Sequence, residues 1–257
     1  MEDLVQAELS VTRMGQKLNV SVFILDGLLI DTGPYRKHEE LSALFEQSDI
    51  SEVVLTHHHE DHTGMAYWFG EREVPIYMHP KGIELCEKKA KLPIYRQVFW
   101  GKRPPFKAEP VSDIFRTPEY TWETIYTPGH ADDHIALYNR EKGWMFGGDL
   151  FVMPKPKSMY RFESLPTLIR SLRKVLTYNF DVYIDSHAGI LPDGKKRLQE
   201  KLRYLIQVQQ EVLFLYNEGT SVSKIRKKLF PERHFMHYVS LFENSPKHMI
   251  RSIIHQH

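Results

Sequence analysis

The chain of 257 residues has a single cysteine, Cys86. An intramolecular disulfide is therefore excluded, and so is any metal cluster built on paired cysteines. A long apolar run is missing too. The most hydrophobic stretch, Val20 to Ile30, is broken by Asp26 and Gly27 and falls well short of the ~20 residues that a membrane span requires. Residues 1–10 carry Glu2, Asp3 and Glu8 without an apolar segment, so they do not read as a secretory leader. No charge sign dominates: 34 Lys+Arg stand against 33 Asp+Glu, a net +1 that names no bulk partner. Repeats and low-complexity tracts are absent. The expectation is a cytoplasmic protein, long enough to bury about three quarters of its unfolded surface without a staple.

What is present is globular in composition. With 42% hydrophobic and 26% charged residues, disorder and coiled coil are excluded for the whole chain. The charge is spread unevenly. From residue 191 onward 12 Lys+Arg face 6 Asp+Glu, whereas residues 1–190 hold 22 against 27. The basic tail reads first as a solvated helix face and second as a contact for an anionic partner.

Residues 18–31, LNVSVFILDGLLID, read as two β runs joined by an Asp-Gly turn. A helix over His38 to Glu46 and a strand at Val53 to Thr56 follow. A histidine-dense turn comes next, then a helix starting at Gly64 to Phe69 and a strand at Pro75 to Met78. Lys88 to Pro110, basic, aromatic and proline-bearing, reads as a long loop or short helical insert, a common form for a lid. Strands are expected at Thr121 to Thr127, His134 to Tyr138, Trp144 to Phe146 and Asp181 to Ile184, with a helix near Leu165 to Leu176. Beyond Gly194 the pattern turns helical. A long amphipathic helix over 195–217 is stopped by Gly219, and Ser221 to Phe230 and Pro246 to Ile254 form two more. Two units result, 1–193 and 194–257.

Histidine is abundant. Four of the 14 fall in His57-His58-His59-Glu60-Asp61-His62. In an extended segment leaving Val53 to Thr56, His57 and His59 point the same way, while His58 points opposite and reads as structural. Asp61 and His62 come just before a helix start, where the chain folds back, so the motif offers two neighbouring N/O sites. Further donors stand just past strand ends: His130 in Thr127-Pro128-Gly129-His130, Asp149 in Gly147-Gly148-Asp149, and His187 in Ser186-His187-Ala188-Gly189. Imidazole and carboxylate donors suit Zn²⁺, and iron and manganese accept them as well. Asp31 and Thr56 are candidate partners that orient ligands. His134, four residues after His130, is a candidate pocket residue or acid.

The order His57-x-His59-x-Asp61-His62, His130, Asp149, His187, with the turn Leu29-Ile30-Asp31-Thr32-Gly33, resembles the metallo-β-lactamase superfamily over roughly residues 15–190. The resemblance implies an α/β fold, a four-layered αβ/βα sandwich with a dinuclear metal site at one edge. Residues 194–257 would add a helical C-terminal extension to this catalytic domain of residues 1–193. One metal would be held by His57, His59 and His130, a second by Asp61, His62 and His187, with Asp149 bridging. Two divalent ions, zinc first and iron or manganese next, would deliver a metal-bound hydroxide whose parent water has a pKa near ~7. Asp61 would orient that hydroxide or relay its proton.

Function lives in the site rather than in the fold, so the overhanging segments bear on substrate. Lys88 to Pro110 supplies Tyr95, Trp100, Lys102 and Arg103, and the segment after Asp149 supplies Lys155, Lys157, Tyr160 and Arg161. Trp100, Arg103 and Tyr160 are the candidate substrate contacts, Tyr160 as a transition-state donor. The expected activity is hydrolysis of an ester, thioester or lactone bond in a small anionic molecule. No membrane partner is expected, and the sequence sets no oligomeric state. The alternative is a metal-dependent endoribonuclease or other phosphodiesterase. Thr127 to His134 is similar to the matching segment of that branch, and 194–257 would be its winged-helix-like extension contacting phosphates. Nucleic acid is the less favoured partner. A single-iron dioxygenase would leave Asp61, His62 and His187 superfluous, and a non-catalytic scaffold would tolerate loss of ligands, whereas all seven are present. Leu150, Phe151 and Val152 stand where quorum-quenching lactonases carry a tyrosine, which weighs against their particular substrates.

Overall fold

The structure, a computed structural model, describes residues 3–13, 15–232 and 235–256. Two six-stranded sheets organise it. The first runs β1 (Val5–Arg13), β2 (Gln16–Leu25), β3 (Leu28–Ile30), β4 (Glu52–Val54), β5 (Ile76–Met78) and β6 (Glu109–Pro110). It is antiparallel through β3 and parallel from there on. The second contains β7 (Ile114–Arg116), β8 (Thr121–Tyr126), β9 (Ile135–Asn139), β10 (Trp144–Phe146), β12 (Val182–Asp185) and β13 (Gly189–Leu191). Here β10 and β12 are parallel and the other neighbours antiparallel. A separate two-stranded ribbon joins β11 (Met159–Tyr160) to β14 (Asn244–Ser245).

Strand alternation decides which core each residue joins. On β2, Val20, Val22 and Ile24 face the outer layer while Phe23 and Leu25 face the other sheet. On β10, Met145 turns outward and Trp144 and Phe146 turn inward. Strands buried on both faces, such as β3, accordingly read as unbroken apolar runs. The hairpin turn places Asp26 and Gly27 at φ 53° and 78°, the paired positive values that a type I′ turn demands.

Helices cover both outer faces. α1 (His38–Glu46), α2 (Glu60–Thr63), α3 (Ala66–Gly70), α4 (Pro80–Cys86) and α5 (Ile94–Trp100) accompany the first sheet, whose outer core takes Leu41, Phe45, Phe69, Cys86 and Phe99. α6 (Leu165–Val175), α7 (Gly194–Asn217), α8 (Val222–Leu229), α9 (Phe235–Val239) and α10 (Pro246–His255) follow in the second half. Leu198, Leu205 and Val212 of α7, Ile225 of α8 and Met249 of α10 share one core with Leu168 and Leu172 of α6. Helix, sheet, sheet, helix gives four layers. Among the described residues no helix is long and apolar enough to cross a membrane.

The strands and helices can be set against the sequence reading element by element. β1 went unanticipated although Val5, Ala7, Leu9 and Val11 alternate with Gln6, Glu8, Ser10 and Thr12; only Leu9 and Val11 of its nine residues are buried. The insert Lys88 to Pro110 takes the helical one of its two expected forms, folding α5, closed by Gly101 at φ 89°. The helix expected from Gly64 is the short α3, and Asp61 and His62, expected just before a helix, ride on a separate short helix, α2.

Candidate metal centre

Five of the seven donors lie just past a strand end, and Asp61 and His62 sit on α2. His57 and His59 follow β4, His130 lies between β8 and β9, Asp149 follows β10, and His187 follows β12. β8, β10 and β12 run in one direction. Backbone bonds from Ile135 N–H to the Thr56 carbonyl and from Ser21 N–H to the Ser186 carbonyl tie that edge to the first sheet.

The inner atoms converge. His59 Nδ1 lies 2.9 Å from His57 Nε2 and 3.0 Å from His130 Nε2. A tetrahedral centre with metal–nitrogen bonds of ~2.0–2.1 Å would set its donors about 3.3 Å apart. The Asp149 carboxylate stands 3.3 Å from His62 Nε2, 3.3 Å from His130 Nε2 and 3.1 Å from His187 Nε2. Asp61 Oδ2 lies 3.5 Å from His187 Nε2 and 3.8 Å from His62 Nε2. Three sets have all donor atoms within 4.8 Å of one another: His57, His59 and His130; His57, His62 and Asp149; Asp61, His62 and His187.

The outer ring nitrogens fix where the lone pairs point. His62 Nδ1 donates to Asp31 at 2.7 Å, His130 Nδ1 to Glu163 at 2.8 Å, and His187 Nδ1 to the Asn19 carbonyl. The Thr56 hydroxyl donates to Asp31 and so accepts from His57 Nδ1 at 3.0 Å. Four imidazoles thus turn Nε2 inward. His62 Nε2 and Asp149 Oδ1 are buried with no hydrogen-bond partner among the described residues. Leaving such atoms unpaired is expensive. Converging lone pairs and carboxylates resolve that cost around a cation, and the residues fit one.

The electrostatics agree. Burial opposes charge on His62 and His187, yet Asp149, joined by Asp61 and at His62 also by Asp31, outweighs it and raises both pKa values well above the ordinary histidine range. Burial would lift Asp149, but His187 and His62 hold it well below the usual carboxylate value. Burial, reinforced by neighbouring positive charge, drives His57 and His59 well down, so they stay neutral. One half of the centre draws positive charge and the other offers neutral donors.

Supporting groups hold the loops. Asp31 adopts φ 58°, a strained conformation for a residue with a side chain, and aims its carboxylate at the Thr56 N–H (2.8 Å) and His62. Asp185 accepts from the N–H groups of Phe151, Val152, His187 and Ala188, gripping the Asp149 and His187 loops together. Lys201 of α7, almost wholly buried, donates to the carbonyls of Leu150 and Phe151. Gly148 sits at φ 51°, and a Cβ there would come within 2.7 Å of His134 Nε2.

Above the donors opens a cavity of about 550 Å³. His59, Asp61, His130, Asp149 and His187 line one end. α5 contributes Tyr95, Arg96, Phe99 and Trp100, residues 152–160 contribute Met153, Lys155, Lys157 and Tyr160, and Met236 and Asn244 complete it. Phe162 stands edge-on to His59 at 5.2 Å and stacks on Tyr160 at 5.3 Å.

A family model described as the metallo-beta-lactamase superfamily matches residues 17–215. The chain belongs to the metallo-β-lactamase superfamily. The probable metallo-hydrolase YqjP of Bacillus subtilis is 28% identical over 83% of this chain and 81% of its own length. An atrochrysone carboxyl ACP thioesterase of Aspergillus fumigatus is 25% identical over 72% of this chain, which spans 55% of that protein. A metallo-beta-lactamase family protein from Thermus thermophilus matches 100% of this chain and 95% of its own with a TM-score of 0.72 at 20% identity, a likeness of fold. With relatives so named, the chain is a hydrolase of this superfamily.

Of the three candidate substrate contacts, Trp100 and Tyr160 line the cavity wall. Arg103 does not. Its guanidinium is buried and donates to the carbonyls of Leu85, Cys86 and Lys88, where a cation suits the C-terminal end of α4. The arginine at the cavity is Arg96. His134 is no acid facing substrate either. Its Nδ1 pairs with Thr127 Oγ1 at 2.8 Å and its Nε2 accepts the Asp149 N–H at 3.0 Å. Burial pulls its pKa down to about 3, so it orients the Asp149 backbone as a neutral ring. His58, as expected, turns aside, to Asp133 at 2.8 Å. Sequence reading missed Glu60, Glu163, Asp185 and Lys201. Only Asp185 left a hint, an acid closing a strand directly before Ser186-His187.

Proposed function

We propose that this hydrolase holds two divalent cations and cleaves a thioester, ester or lactone bond in a small acyl substrate that carries negative charge. The observation that carries the reading is the cavity, which has donors at one end and aromatic, methionine and lysine side chains elsewhere. His57, His59 and His130 would hold one ion and Asp61, His62 and His187 the other, with Asp149 between them. When bound, the ions supply Lewis acidity toward a carbonyl oxygen and activate water. Zinc suits the donor set best, and iron or manganese fit the same atoms.

The chain's own residues do the rest. Phe99, Trp100 and Met153 form apolar surface for an acyl chain and keep bulk water out. Lys155, exposed at the rim, offers a cation to the anionic end. Burial pushes the Tyr160 phenol up to about 12, so it acts as a hydrogen-bond donor toward a developing oxyanion and keeps its own proton. Asp61, beside His187, is placed to carry a proton toward the leaving group. The name of the Aspergillus relative supports the thioester among the three bonds.

Elemental analysis and a substrate panel test this. Protein purified without a polyhistidine tag or added metal should carry close to two zinc ions per chain. It should hydrolyse a thioester, lose that activity to a chelator and regain it with metal. A single iron with the second donor set empty would sink the dinuclear reading. Cleavage of RNA in preference to every thioester, ester and lactone would move the substrate class to phosphodiesters.

A further inference from the structure

Glu60 stands between the donors His59 and Asp61, yet its carboxylate is committed elsewhere. Its side chain is 1% exposed and grips Arg96 of α5, Oε1 to Nε and Oε2 to Nη2, both at 2.6 Å. The fork takes both oxygens of the buried carboxylate, which offsets the cost of burying its charge. Being bidentate, it fixes the direction of the guanidinium, which a lysine ammonium would leave free.

Two of the three guanidinium nitrogens are thereby occupied. Nη1 has no hydrogen-bond partner among the described residues and is not among the enclosed unpaired atoms. The Arg96 side chain stays 15% exposed where it lines the cavity beside His59 and Asp61. The rings of Tyr160 and Phe162, 6.0 and 5.9 Å from its guanidinium carbon, flank it. The other cations of the cavity are placed differently: Lys201 serves two carbonyls, Lys157 pairs with Glu232, and Lys155 sits on the exposed rim.

We propose that Arg96 is the specificity-determining donor of this cavity, aimed by Glu60 at a second oxygen of the acyl group, carbonyl or carboxylate, close to the bond that is cut. Which bond is cut rests on the function proposed above, whereas the recognition of the second oxygen does not. Because Glu60 balances the guanidinium charge, recognition is a directed hydrogen bond more than a bulk attraction. An acyl chain lacking that oxygen leaves Nη1 unpaired, and sites built to pair a polar group reject such analogues strongly.

Calorimetric titration of the metal-loaded protein with acetoacetate, malonate and butyrate tests it. The three acids are similar in size, and only butyrate lacks the second oxygen. Acetoacetate or malonate should bind roughly 10- to 100-fold tighter than butyrate, the scale of one hydrogen bond to a charged group. Whichever of the two binds tighter identifies the oxygen as carbonyl or carboxylate. In the double variant Glu60→Gln/Arg96→Met, which leaves no lone buried charge, the preference should vanish while metal content per chain is retained. Arg96→Lys, with charge but no fork, should keep only part of it. A preference that survives in the double variant belongs to chelation by the metals and overturns the proposal. Equal binding of the three acids by the wild type overturns it too, and loss of metal from the double variant would make the pair a clamp of the ligand loop instead. If no thioester, ester or lactone is cleaved, the proposed reaction fails while this binding test still decides the role of Arg96.

Discussion

The two ends of the cavity are built in opposite ways. At the donor end nearly every ring has a second partner: Thr56 for His57, Asp31 for His62, Glu163 for His130, Asn19 for His187. The far wall is assembled from α5, residues 152–160 and the α9–β14 region, held by contacts such as the Tyr95 O–H donating to Glu243 at 2.8 Å. The first gives each ring its own partner, whereas the second is held by bonds between segments far apart in sequence, such as Glu60 with Arg96 and Lys157 with Glu232.

That contrast breaks most readily at Asp149. Asp149→Ala should lower hydrolysis by at least roughly 10²–10³-fold, the scale of losing a principal electrostatic stabiliser, and reduce metal per chain. Undiminished turnover would mean that the donor end is not the reaction centre. Asp31→Ala, which takes away only the partner of His62 and Thr56, should weaken metal binding about 10–100-fold in competition with a chelator. Unchanged affinity would show that the supporting layer is redundant.

Lys201→Met probes the join between the two ends. It strips a partner from two carbonyls and should cost about 1–3 kcal/mol, seen as a melting temperature lower by roughly 3–10 °C. Burial pulls the folded lysine down to about 8, against ~10.4 in the unfolded chain. Between those values the unfolded chain binds more protons, so this residue makes stability rise with pH across that window and contributes no slope below it. The variant should flatten that rise, and identical pH curves would refute it. The smallest effect belongs to Lys155→Ala. It should raise KM for an anionic substrate only a few-fold, consistent with an exposed ion pair worth ~1 kcal/mol or less, and fade with salt. Any loss of metal in this variant would erase the distinction between wall and donor end.

The same division explains what the sequence revealed. The donors were legible because four fall within six residues and the rest sit where strands stop, positions that topology brings to one edge. The alternating core of β2 and the length of α7 were legible for equally local reasons. The wall was not. Arg96 and Arg103 lie seven residues apart in one basic insert, and the choice between them depends on Glu60, a partner 36 residues earlier. His134 looked like an acid because nothing local reveals that both ring nitrogens are already engaged. Lys201 sits on a helix whose Lys196, Arg197 and Arg203 are exposed, and only tertiary packing singles it out for burial.

Lys201 also gives the enzyme a schedule. Asp149 is synthesised 52 residues before it, an interval of about 3–10 s at ordinary rates of translation. All seven donors exist by residue 187, but the ammonium that steadies the loop after Asp149 arrives only with α7. The loop after Asp149 therefore gains this support only once α7 has been made and has packed on the sandwich.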